Sequence, residues 1–119
     1  GRSMAIYKSK DDGLVIFNSM RVSDDVEKEI LKLGNIKHVV RMVDSHGLDD
    51  PYYVSKFQPT YWSLDTFKPV PGGPLPHDKT LRDDDLPIPG MKMVTIDSGK
   101  ECVFWIPDHG GTLIAGDIV

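Results

Sequence analysis

The stretch that most constrains this chain is residues 14–43, where strand, helix and strand follow one another with almost no linker between them. Leu14 to Phe17 is an unbroken apolar run. A helix is expected to start at Ser23 or Asp24, because Asp24 and Glu27 have the spacing of a capping box. Val26, Ile30 and Leu33 recur at i, i+4 and i+7 and draw one apolar stripe along it. Gly34 stops the helix, in a position that suits left-handed dihedrals. Ile36 to Val43 then reads as the next strand. Two strands joined this tightly through a helix form a parallel, right-handed crossover. The chain is therefore expected to be α/β.

The flanking segments extend that unit. Met4 to Lys8 precedes Leu14 to Phe17 across Asp11-Asp12-Gly13, and Asp-Gly is a hairpin signal. The loop from Asp44 to Asp50 leaves the carboxyl end of a buried strand, where open α/β sheets receive ligands. Asp49 or Asp50 caps a second helix over Pro51 to Phe57, with proline in the first turn. Pro59 ends it, and Thr60 to Ser63 is a short strand. Residues 67–89 hold most of the prolines, the Gly72-Gly73 pair and the acidic run Asp83-Asp84-Asp85. They read as a long irregular excursion, the kind of segment that acts as a lid or cover. Met93 to Ile96, Glu101 to Ile106 and Thr112 to Ile114 are three further strands. Residues 4–119 form one domain on this reading, and Gly1-Arg2-Ser3 ahead of Met4 looks like an expression scar.

Composition removes several classes of function. A net charge of −4, with 27% charged residues, offers no basic field for phosphate backbones, so nucleic acid is not an expected partner. The apolar runs are too short to span a bilayer, so a membrane is not one either. No signal-peptide pattern is visible, and cytoplasmic is the default location. The single cysteine, Cys102, lies in an apolar run and reads as a small core hydrophobe.

Two segments could carry chemistry. Asp44-Ser45-His46-Gly47-Leu48-Asp49-Asp50 places carboxylates and an imidazole at a strand end, the donor types that divalent metals take. The same residue types also serve loops and helix caps. Thr112-Leu113-Ile114-Ala115-Gly116-Asp117 ends an apolar strand in an aspartate placed to project into a cleft.

Taken together, these segments resemble the metallo-β-lactamase superfamily, in divergent form and over about the first half of its domain. The resemblance implies half of an αββα sandwich, with a mixed sheet and two helices. It implies metal positions at His46, Asp50 and Asp117, with Asp50 also carrying the catalytic role. Leu48 and Pro51 stand where that family has its second and third histidines. Met91, after Pro89-Gly90, stands where it has the next. Asp44, Asp49, His77 or His109 would have to substitute. The cofactor expectation is accordingly divided between zinc or another divalent ion and none.

Three functions remain open on this reading. The leading one is a metallo-β-lactamase-like domain that is not a competent zinc hydrolase alone and that pairs as a homodimer or with a second protein half. The second is a metal-dependent hydrolase remodelled around His46, Asp50 and Asp117. The third is a small-molecule binding or regulatory module that uses residues 67–89 as a lid.

Overall fold

A computed structural model describes residues 3–10, 13–72 and 75–116. The Asp11-Asp12 part of the expected hairpin turn lies outside these residues. Among the described residues, eight strands and two α-helices follow in the order β1 Ala5–Lys8, β2 Leu14–Phe17, α1 Asp24–Leu33, β3 Ile36–Val40, α2 Asp50–Phe57, β4 Thr60–Ser63, β5 Lys79–Thr80, β6 Lys92–Ile96, β7 Glu101–Ile106 and β8 Thr112–Ala115. β1 to β5 form one sheet in chain order, with β1 antiparallel to β2 and the remaining pairs parallel. β6, β7 and β8 form a second, antiparallel sheet.

The two-residue period of a strand divides the core into two layers. Val15, Phe17, Val40 and Trp62 face the second sheet, where Cys102, Phe104 and Ile106 meet them. Leu14, Ile16, Ile36 and Val39 face the helices and pack on Ile30, Tyr53 and Tyr61. Both faces of the first sheet are thus covered, which explains why β2 is apolar at every position. The result is a helix layer, a mixed sheet and a second sheet, as the sequence led one to expect. Among the described residues, no helix is long and apolar enough to cross a membrane. Burial pushes the Cys102 thiol up to about 12, so Cys102 behaves as core.

Several local expectations are corrected. The capping group of α1 is the Ser23 hydroxyl, which accepts from the Val26 amide at 3.3 Å. Glu27 turns instead to α2, accepting from Lys56 at 2.7 Å and from the Tyr52 hydroxyl. That tie sets the roll of α1. Glu27 and Ile30 are buried, whereas Val26 and Leu33 of the expected stripe remain exposed. Gly34 takes φ 154° and ψ 178°, a positive-φ conformation open essentially to glycine, though outside the left-handed helical well. At α2, Asp49 forms no side-chain cap and accepts from the Arg21 amide at 2.8 Å.

The third strand stops at Val40, earlier than the apolar pattern suggested. Residues 41–44 cross from the first sheet to the second: the Cys102 amide donates to Met42 O and the Asp44 amide to Lys100 O, each at 2.8 Å. The excursion over residues 67–89 is also more ordered than its prolines imply. It supplies β5, and its Val70, Leu81 and Ile88 are buried in the two core layers.

Candidate functional site

The polar centre of the molecule gathers at the carboxyl ends of the strands. Asn18 and Ser19 follow β2, Arg41 to Asp49 follow β3, Asp50 opens α2, Tyr61 lies in β4, and Gly116 closes β8. Asn18, Ser19, Arg41, Asp50, Tyr61 and Gly116 are buried, as are His46 and Gly47 within the loop, with His46 at 9% exposure and Asp50 at 1%.

Asn18 is the joint of this cluster. Its Nδ2 donates to Ser3 O at 2.8 Å and to Gly116 O at 3.0 Å. Two carbonyl partners fix which end of the amide is nitrogen, so Oδ1 is the atom 2.9 Å from His46 Nδ1. An amide oxygen can only accept, so Nδ1 of His46 carries the proton. A neutral His46 ring then has its lone pair on Nε2. Orienting a histidine through its other nitrogen is how metal-binding histidines are held.

Asp50 is held differently. One carboxylate oxygen accepts from the Ser19 hydroxyl and the other from the Tyr61 hydroxyl. Burial and the Asp50 charge hold the Tyr61 phenol far above its ordinary pKa, so it remains a donor.

Arg41 braces the loop beneath. Its Nε donates to His46 O at 3.1 Å, Nη1 to Lys68 O at 2.5 Å and Nη2 to Asp44 O at 2.7 Å. Asp44 in turn accepts from the Lys68 amide at 2.6 Å. A side chain at Gly47 would place its Cβ 3.0 Å from Arg41 Nε and 3.3 Å from Asp50 Oδ2. Glycine there lets the loop close between a buried cation and a buried carboxylate. Gly116 has a similar reason, since a Cβ would come within 2.4 Å of Val43 Cγ2 where β8 ends against the crossing segment.

The structure therefore brings His46, Asp50 and the residue preceding Asp117 to one cluster, while Asp117 itself lies outside the described residues. The non-ligand positions are placed plainly. Leu48 is 58% exposed, and Met91 is buried between the sheets with its sulfur accepting from the Ile88 amide. Of the substitutes, Asp44 and Asp49 are engaged by backbone amides. His77 bonds to Asp65 and Thr80, and the His109 side chain lies outside the described residues. Among the described residues, no three His, Cys, Asp or Glu side chains are grouped to hold a metal ion. Both Asp50 oxygens accept from hydroxyls, and the donors among the described residues do not by themselves make up a zinc site.

Sequence reasoning missed Asn18, Ser19 and Arg41. Arg41 had a signal: it interrupts the apolar run Val39-Val40-Arg41-Met42-Val43, and a charge buried there must be paired. Asn18 had a weaker one, directly after a strand apolar at every position. A small cleft of 230 Å³ lies nearby, between Arg41, Ser63 and His77 and the start of the proline-rich segment at Phe67 and Lys68.

No family model and no curated protein matches the sequence. Among solved structures, a metallo-beta-lactamase from Staphylococcus aureus subsp. aureus COL superposes with a TM-score of 0.63 at 14% identity. The match covers 98% of this chain and 42% of that one. The fold is thus α/β and metallo-β-lactamase-like, and the chain spans less than half the length of the structure it matches.

Proposed function

We propose that this chain is a metallo-β-lactamase-like half-sandwich that does not act as a zinc hydrolase by itself and that works in association with a second copy. The observation that carries the first part is the Asp50 carboxylate, whose two oxygens already accept from Ser19 and Tyr61 in a site with 1% exposure. A metal hydrolase uses its ion to acidify a bound water and polarise the scissile group. Here the carboxylate at the matching position is a structural acceptor that ties β2, α2 and β4 together. Elemental analysis of protein purified without chelator tests this, with zinc, iron and manganese expected far below one per chain. Near-stoichiometric metal, lost in both His46→Ala and Asp117→Ala, would overturn it.

One observation favours the second reading, a remodelled metal-dependent hydrolase. His46 is oriented through Nδ1 by the Asn18 amide, the way metal-binding histidines are held. The same metal analysis separates the two readings.

Association is supported by what the second sheet leaves uncovered. Its inner side packs on the first sheet, while Val94, Ile96, Trp105 and Leu113 are exposed at 59%, 41%, 39% and 69%. Contiguous apolar surface of this kind marks an interaction site. Light scattering on the eluting protein is expected to give twice the chain mass, and a monomer at every concentration would contradict the association.

A further inference from the structure

The outer face of the second sheet has an internal order that bears on what covers it. Across β6 and β7, Lys92 is in register with Trp105, Val94 with Val103, and Ile96 with Glu101. Leu113 of β8 lies beside Trp105. Two-residue alternation sends Cys102, Phe104 and Ile106 into the core, so Glu101, Val103 and Trp105 lie on the opposite face. Lys92 shares that face, with its Nζ 5.7 Å from the centre of the Trp105 ring.

The face is apolar through its middle, basic at the Lys92 end and acidic at the Glu101 end. Such a pattern is its own complement. A half-turn about an axis in the plane of the sheet and across its strands reverses strand direction. It lays the Val94 and Val103 row on itself and carries Lys92 to the end occupied by the partner's Glu101. We propose that a second copy of this chain covers this face, forming an isologous two-fold dimer with the two three-stranded sheets packed face to face. Sheets packed in this way lie about 10 Å apart with strands within about 30° of alignment, which lets inner side chains interdigitate. Each end then sets Lys92 one strand away from the partner's Glu101, within reach of its long side chain, twice per dimer, and a parallel arrangement is disfavoured because it sets like charge against like. This dimer rests on the self-association proposed above and specifies the surface that makes it.

The test is sedimentation of the full chain with substitutions on this face. Val94→Glu, at a position already exposed, is expected to give a folded monomer by circular dichroism. Lys92→Glu and Glu101→Lys are each expected to weaken the dimer about tenfold or more, since each sets like charges together. An equimolar mixture of these two variants is expected to recover wild-type affinity, because each then meets an opposite charge at both ends. A dimer that survives Val94→Glu, or reversals that mixing does not rescue, would overturn this face. It would leave self-association standing and direct attention to β1 and β8, the outer strands of their sheets among the described residues, which flank a cleft of 520 Å³. A wild-type monomer at every concentration would overturn the dimer and the self-association together.

Discussion

Around His46 and Asp50 the chain closes over its polar groups, whereas on the outer face of the second sheet it leaves apolar groups open. In the first region hydroxyls, an amide and a guanidinium are matched to carboxylate and carbonyl oxygens across β2, β3, β4, α2 and β8. In the second, Val94, Ile96, Trp105 and Leu113 are exposed across the three strands. The contrast teaches that in this chain the strand ends belong to the core, while one face of the second sheet is surface.

The largest expected effect comes from breaking the closed region. Asp50→Ala leaves two buried hydroxyl donors without their acceptor, so urea unfolding should show a loss of about 2–4 kcal/mol. A loss below about 1 kcal/mol would mean that the carboxylate is not structural. Tyr61→Phe removes one donor and should cost about 1–3 kcal/mol in the same assay. Gly116→Ala forces a methyl group onto Val43 and should cost about 1–3 kcal/mol by thermal melting. The open region should behave oppositely. Val94→Glu should change monomer stability by no more than about 0.5 kcal/mol, so its effect on association reads the face alone.

The smallest effect is electrostatic and lies at the helix layer. The hydrogen bond from Lys56, then that from Tyr52, holds the Glu27 carboxyl below its ordinary pKa. A depressed acid contributes stability above its unfolded pKa and loses it as pH falls through the folded value. Glu27→Gln should therefore flatten the acid side of the stability profile without altering the alkaline side. Parallel profiles for the two proteins would show that the tie between α1 and α2 is energetically idle.

Much of the fold was legible because it rests on local pattern. The apolar run at residues 14–17, the stop at Gly34 and the turns between the last three strands each determine structure within a few neighbours. The roll of α1 was not legible, because Glu27 answers to Lys56 and Tyr52, 29 and 25 positions away. Nor was the end of β3, since Arg41 to Val43 look as strand-like as Ile36 to Val40. The switch of sheet at residues 41–44 depends on where Lys100 and Cys102 come to lie.

The site divides in the same way. His46 and Asp50 could be found as chemical types after a strand, and both lie in the cluster. That Asp50 is enclosed by Ser19 and Tyr61 could not, because those partners come from separate strands.

Native mass spectrometry of the chain equilibrated with zinc tests the whole account most directly, because one spectrum reports both subunit number and retained metal. The account predicts a dimer without stoichiometric zinc. A monomer carrying one or two zinc ions, lost on His46→Ala, would contradict it.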